Sequence, residues 1–382
     1  MELTGAAAFE SHYANLYGER WAAVSRGLRR PTTTVAVIPP FFSQIPDQLE
    51  NEQCSPPEVS AEELEGSVYY RKTDLPFCYD QAAFDASAPE SPNPADLPLY
   101  AKKAVFNANS FVATAADCAY HMDLGVCYAC HCLGAAPGDR VLDMFAQGAG
   151  HCLIFAGLMF PSAESLSGIS GEGRSTLEVV AMINRARESM QGKAETSMLV
   201  CADSHRTPHE KSVENLRKYV PDRLLSSMSI QTICYDAEDH KLGRFGAFDR
   251  IFLRLPRAFD AATLHKWSKR AVKASSAKAL AALNNAVRLL KPGGTILYCT
   301  HSLDPLENEL VVHTVLQSTS AVRHEPIDAS LVLRELHERL QWRPEAPASL
   351  PAVETRKYGC ALMPDESRNG PLYICKLVST NR

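Results

Sequence analysis

No run of 18 apolar residues occurs in this 382-residue chain, which argues against a membrane-spanning helix. Disulfide-like spacing is missing as well: the 12 cysteines are scattered as in proteins of a reducing compartment. An excess of positive charge is also absent, with a net charge of −5 and a pI near 6.2. Any nucleic-acid surface must therefore be local, and the mild acidity leaves room for a protein partner that supplies positive charge. The N-terminus, MELTGAAAFESHY, lacks the apolar core of a signal peptide and carries acids where a mitochondrial presequence would carry arginines. Chemistry alone predicts a soluble, intracellular protein. What is present is ordinary globular material, 46% apolar and 22% charged, enough for a sizeable core.

Organisation changes along the chain. Residues 1–30 read as helix, with Phe9, Tyr13, Leu16, Tyr17 and Trp21 on one stripe and Pro31 as the stop. Prolines are dense from Pro39 to Pro98 and predict extended, loop-rich structure. The chain divides into a helical and proline-rich extension (1–104) and a second domain (105–382). From about Phe106 strands and helices alternate. Strands are predicted at Arg140–Met144, Met198–Ala202, Ser229–Tyr235, Asp249–Leu255 and Thr295–Cys299. Helices fall from Leu153, over His209–Tyr219 and over Ala271–Leu290, the last closed by Lys291-Pro292-Gly293-Gly294. This alternation predicts an α/β fold with a parallel, doubly wound sheet. An insertion at about 162–196 carries an amphipathic helix with Val179, Ile183, Ala186 and Met190 on one side.

One cluster, Cys127-Tyr-Ala-Cys130-His131-Cys132, contains the C-x-x-C-H pattern of haem attachment and half of a zinc site. Met122, Val126, Cys130 and Leu133 recur at helical spacing, and no second cysteine pair lies at ligand spacing, so the reading is an apolar helix.

Several motifs carry chemistry together. Strand 141–144 runs into Phe145-Ala-Gln-Gly148-Ala-Gly150, a glycine loop opening a helix, a place where backbone N–H groups hold anions. Asp203 and Asp236 end the next two strands. Phe248-Asp-Arg-Ile-Phe-Leu253 leads to Arg254-Leu-Pro256-Arg257. Lys291-Pro-Gly-Gly294 leads through a strand to Thr300-His301-Ser-Leu303 and Glu307-Asn-Glu309. These landmarks, with Phe9-Glu-Ser-His-Tyr13 and Tyr17-Gly-Glu-Arg-Trp21 in front, Gly134–Asp139 before the first strand, and Met363-Pro and Asn369–Lys376 as a last strand, resemble the mitochondrial rRNA branch of the Sun-domain RNA cytosine-5 methyltransferases. The resemblance covers residues 1–30 and about 120–382.

That resemblance implies a Rossmann-like methyltransferase sheet with S-adenosylmethionine or S-adenosylhomocysteine as ligand. It places the ligand's carboxylate at Gly148 and Gly150, its ribose at Asp203 and its adenine near Asp236. Asp143, Asp203 and Asp236 have an alternative reading as loop-capping or strand-end turn residues. The family's nucleophilic cysteine, whose thiolate adds to cytosine carbon 6, is replaced by His301. Its second cysteine is replaced by Arg257, and the aspartate two residues before the proline by Arg254. Imidazole is a weaker nucleophile than thiolate. Cys299, two residues from His301, would sit roughly 6–7 Å from the required place, beyond the about 3–3.5 Å of reacting atoms. An Arg254 charge about 5 Å from the ligand's sulfonium would cost about 3 kcal/mol at an effective dielectric of ~20, so the sulfur-neutral S-adenosylhomocysteine is better tolerated.

Arg254, Arg257 and His301 are expected to converge, either as a basic, phosphate-binding patch or as arginines salt-bridged to nearby acids. Lys266, Lys269 and Arg270, with Trp267 and Lys273, are expected to touch RNA or to form a solvated face. The functional expectation is a catalytically silent methyltransferase homologue that binds rRNA during assembly of the mitochondrial large ribosomal subunit. The resemblance implies a helical-repeat partner of the mitochondrial termination-factor type. The alternatives are an active rRNA methyltransferase, with His301 as a general base, and a sensor of S-adenosylmethionine or S-adenosylhomocysteine.

Overall fold

The computed structural model describes residues 4–29, 34–37, 78–81, 120–160, 196–257, 264–328, 352–366 and 370–381. Most of the proline-rich stretch and the helix expected in the insertion lie outside the described residues. Two helices open the chain, α1 (Gly5–Tyr17) and α2 (Trp21–Leu28), with a single 3-10 turn, Gly18–Arg20, between them. Periodicity predicts one helix here; it breaks at Gly18, whose φ of 58° lies in the region that glycine adopts without strain. The break leaves Tyr13 and Trp21 buried but turns Leu16 outward, 43% exposed, so Leu16 does not belong to the apolar stripe.

The short strands β1 (Thr34–Val37) and β2 (Cys78–Gln81) form an antiparallel sheet in the order β2-β1-β3 with β3 (Tyr120–Asp123). The chain then enters α3 (Leu124–Leu133), capped by Asp123, whose carboxylate accepts from the Val126 N–H at 3.3 Å. This is the apolar helix read from the cysteine cluster, although Met122 lies on β3 rather than within it. Cys127 and Cys130 are buried in it, and Cys132 is partly buried.

The large sheet follows from β4 (Arg140–Asp143), α4 (Gly150–Met159), β5 (Met198–Asp203), α5 (Arg206–Tyr219), the short α6 (Asp222–Ser226), β6 (Ile230–Cys234), β7 (Phe248–Arg254), α7 (Lys269–Leu289), β8 (Leu290–Thr300) and α8 (Glu309–Ser318). It closes with β9 (Val322–Glu325), β10 (Glu354–Thr355), β11 (Cys360–Leu362) and β12 (Leu372–Ser379). Strands β6-β5-β4-β7-β8 are parallel neighbours. The expected parallel core is present, but the sheet is mixed: β12 returns antiparallel beside β8, with β9, β10 and β11 joined antiparallel to that flank. Lys291–Gly294 belongs to β8 rather than to a closing loop, and the β7–β8 register shifts between Phe248 and Arg250.

Alternation along the strands explains why helices cover both faces. Val141, Leu199, Cys201, Phe252 and Leu297 pack with α3, α4 and α5 in one core, while Leu142, Val200, Ile251, Leu253 and Tyr298 pack with α7 and α8 in the other. Consecutive strands run one way from β4 through β6 and then cross to β7 and β8. The switch point therefore lies between β4 and β7, whose last residues are Asp143 and Arg254.

Candidate functional site at the sheet switch point

Asp143 is fully buried at the end of β4, a position that requires hydrogen-bond partners. Its Oδ1 accepts from the Phe145 N–H at 3.2 Å, and its Oδ2 lies 2.9 Å from Nδ1 of His151 in the first turn of α4. The other ring nitrogen, Nε2, accepts from Nε of Arg254 at 2.9 Å. A nitrogen that accepts from a guanidinium carries no proton, so Nδ1 is the protonated one and donates to Asp143. Burial holds His151 below its ordinary value, with Arg254 reinforcing and Asp143 opposing the shift. Arg254 is 9% exposed, and its Nη2 donates to Oε1 of Gln147 at 2.8 Å.

The loop after β4 is organised by the end of β5. Gln147 adopts a left-handed backbone, φ 46°, and its N–H donates to Oδ1 of Asp203 at 2.7 Å. Ser212 of α5 donates to the other carboxylate oxygen at 2.6 Å, and its own oxygen accepts from the Gly148 N–H at 3.1 Å. Asp203 is 2% exposed, and burial raises its carboxyl above the usual carboxylate range. Both oxygens of the residue expected to hold a ribose thus already shape the loop. Asp236 is exposed and accepts from the Glu238 N–H at 3.2 Å, a turn arrangement.

The glycine loop retains part of its anion-binding character. The Gly148 N–H is taken by Ser212, whereas the first N–H groups of α4, from Gly150 on, have no acceptor within their own helix. A Cβ on Gly150 would fall 2.5 Å from Cε1 of Tyr120, so β3 packs directly on the helix start. One further donor stands out: Nε2 of Gln147 is buried with no acceptor among the described residues. Its amide orientation is dictated by Arg254, since turning it would set N–H against N–H. An orphaned buried donor beside a guanidinium fits a ligand that brings acceptor oxygens, as a carboxylate does.

Arg257 donates to Asp123 at 3.4 Å. His301 follows β8, and its Nδ1 donates to the Pro371 carbonyl at 2.9 Å. Burial, then Arg257 and Arg254, push His301 well below its ordinary value, so the ring is neutral, and its Nε2 has no hydrogen-bond partner among the described residues. Arg257 and Arg254 both lie close enough to act on the His301 ring, but the site is not simply basic. Arg257 is paired with Asp123, and Arg254 is coupled through neutral His151 to Asp143; its guanidinium faces inward, so of the pair only Arg257 offers charge toward solvent. Of the two arginines, Arg257 alone has an acid as direct partner among the described residues; Arg254 bonds neutral groups.

Cys299 is fully buried, and burial pushes its thiol well above the ordinary range, opposite to the requirement for a nucleophile. Lys266, Lys269 and Arg270 are exposed, but Trp267 is 1% exposed in the N-terminal aromatic cluster and is not available to stack on a base. A separate open cleft lies between α5 and the end of β6, lined by Arg206, His209, Arg217 and Cys234 among others, and includes none of the switch-point residues. Sequence reasoning missed His151, Gln147 and Ser212. The first two adjoin the glycine loop and were visible as polar residues at a helix start; Ser212 had no local signal.

A family model for the 16S rRNA methyltransferases RsmB/F matches residues 188–378. The mitochondrial tRNA (cytosine(34)-C(5))-methyltransferase of Mus musculus is 23% identical over 214 residues, 54% of this chain and 58% of that protein. The ribosomal RNA small subunit methyltransferase F of Erwinia tasmaniensis is 40% identical over 88 residues, 21% of this chain and 18% of that protein. The matches thus span little more than half of the first relative and under a fifth of the second. Among solved structures, a methyltransferase homolog from Pyrococcus horikoshii superposes with a TM-score of 0.56 at 17% identity, over 98% of this chain and 95% of that one. NSun6 from the same organism gives 0.54 at 13% identity, over 98% of both chains. At these identities the structural likeness is one of fold.

Proposed function

The chain belongs to the RsmB/F family of 16S rRNA methyltransferases, and from that premise we propose that it is a catalytically silent member that binds rRNA and a protein partner in mitochondrial large-subunit assembly. The observation that carries this reading is His301: where the family resemblance calls for a reactive thiol, the chain holds a neutral imidazole anchored on the Pro371 carbonyl. Arg257 takes the second thiol position, and the nearby Cys299 is enclosed in the core. Among the described residues no thiol stands at either position to raise the electron density of the pyrimidine ring for methyl transfer to carbon 5.

S-adenosylmethionine or S-adenosylhomocysteine is the ligand the family implies, and it would supply or report a methyl group. The Gln147 donor, orphaned among the described residues, and the first N–H groups of α4, which have no acceptor within their own helix, suit its carboxylate. Support for RNA comes from α7. Its first turn holds Lys269 and Arg270 and no acid, against the rule that the positive helix end favours carboxylates. Exposed Lys266 and Lys273 continue the patch, so phosphate oxygens would meet both cations and helix start. The mitochondrial setting rests on the sequence resemblance and on the mitochondrial location of one relative. A helical-repeat partner of the termination-factor type would add the positive charge that a net −5 chain lacks.

The test is 5-methylcytosine mapping of rRNA with and without the protein, beside a triple variant carrying His301→Cys, Arg257→Cys and Arg254→Asp. The expected result is an unchanged map for the wild type. A mark that disappears on depletion and returns with purified wild-type protein would establish an active methyltransferase, the competing reading. Activity gained only by the triple variant would assign the silence to these residues.

A further inference from the structure

We propose that the side chains of Gln147 and Arg254 form the subsite for the carboxylate of the ligand's amino-acid tail, a task the sequence assigns to the glycine-loop backbone. The inference rests on the reading that the crevice takes S-adenosylmethionine or S-adenosylhomocysteine. Three observations carry it. First, the glycine-loop backbone is partly committed: the Gln147 N–H donates to Asp203 and the Gly148 N–H to Ser212. Second, Nε2 of Gln147 is buried without an acceptor among the described residues, and Arg254 fixes the amide so that this atom is a donor. Third, Arg254, only 9% exposed, uses Nε on His151 and Nη2 on Gln147, while no hydrogen bond is formed by Nη1 among the described residues.

Two adjacent donors, one of them cationic, lie at the switch point between β4 and β7, where open α/β sheets bind ligands. They match the two oxygens of a carboxylate. The left-handed backbone of Gln147, φ 46°, is a strained state for a residue with a side chain, and such strain concentrates at ligand clamps. The relay from Asp143 through His151 fixes the orientation of Arg254.

Titration calorimetry on the full chain with S-adenosylhomocysteine and with 5′-methylthioadenosine, which keeps the thioether nucleoside but lacks the amino-acid tail, tests this together with a Gln147 variant. The wild type is expected to bind S-adenosylhomocysteine about tenfold to a hundredfold more tightly, the range of one charge-assisted hydrogen-bonded contact. The near-isosteric Gln147→Glu variant keeps an acceptor for Arg254 and replaces the free donor by an acceptor. It is expected to abolish that margin and leave 5′-methylthioadenosine binding unchanged. Equal wild-type affinities, or a margin that survives in Gln147→Glu, would overturn the subsite while the ligand reading stands. If neither nucleoside binds, the ligand reading falls and the subsite with it. Should Gln147→Glu not fold, Gln147→Met removes the donor without adding charge and is expected to narrow the same margin; a margin that survives in it would overturn the subsite.

Discussion

The imidazole of His301 sets the electrostatics of the crevice. Protonating His301 would place a third cation beside Arg257 and Arg254 in a poorly solvated place, so the folded protein keeps it neutral. The unfolded chain has no such constraint and takes up the proton below about pH 6.5. The folded pKa is depressed below the unfolded one, so the unfolded state binds more protons as pH falls, and stability is lost in that direction. His151 shifts the same way, so a comparison must isolate one ring. Relative to His301→Gln, the wild type should match or exceed the variant at pH 7.5. It should then lose about 1 kcal/mol of relative stability by pH 5.5, in urea unfolding followed by circular dichroism. A difference that stays flat with pH would show that His301 titrates normally and that the two arginines do not bear on it.

At the scale of elements, α1 and α2 determine what surrounds the end of β8. Phe9, Tyr13, Tyr17 and Trp21 cluster with Trp267, which stands just ahead of α7; ring centroids of Tyr13 and Trp21 are 5.6 Å apart and those of Phe9 and Trp267 5.8 Å. Polar links reinforce the docking: His12 lies 2.7 Å from Asp304, Tyr17 donates to the Leu303 carbonyl at 2.8 Å, and Arg20 pairs with Asp365 at 2.7 Å and with Glu354. The aromatic stripe was legible in the sequence because 3.6-residue spacing shows from one segment alone. The burial of Trp267 was not, because its partners lie more than 240 positions away and a lone aromatic in a basic run looks solvated. Gly27 is the tightest contact of α2: a Cβ there would fall 2.1 Å from the Pro364 carbonyl oxygen, a backbone atom that cannot swing aside. Helix propensity alone favours Gly→Ala by about 1 kcal/mol, whereas overpacking costs about 1–3 kcal/mol. Gly27→Ala should therefore destabilise the chain in a urea melt and expose residues 4–29 to protease. A stabilised variant would mean that α2 is not seated on the 363–365 segment.

Across the whole molecule, the parallel core of the sheet was legible because each of its strands is a short apolar run between turn signals. On the antiparallel flank β12 was legible through the family resemblance of Asn369–Lys376, whereas β9 to β11 were not, because short strands pairing through backbone ladders leave little pattern in sequence. At the switch point Asp143 and Arg254 stood out as motif residues and His151 did not, and their pairing could not be read, since the three meet only when β4, α4 and β7 are assembled. Net charge bears on the remaining question of RNA. A chain at −5 gains no long-range attraction to a polyanion, so on the proposed reading affinity comes from the local patch of Lys266, Lys269, Arg270 and Lys273. If each cation neutralises one phosphate of a single-stranded segment, the slope of log affinity against log salt is about −3, from roughly −0.7 per contact. Reversing two of them, Lys269→Glu with Lys273→Glu, should flatten that slope by about 1–2 in fluorescence-anisotropy titrations with single-stranded rRNA fragments. It should leave the urea midpoint nearly unchanged, because both side chains are exposed. A slope unaffected by the double variant would place the RNA elsewhere, and a slope near zero would mean that the partner carries the nucleic-acid contact.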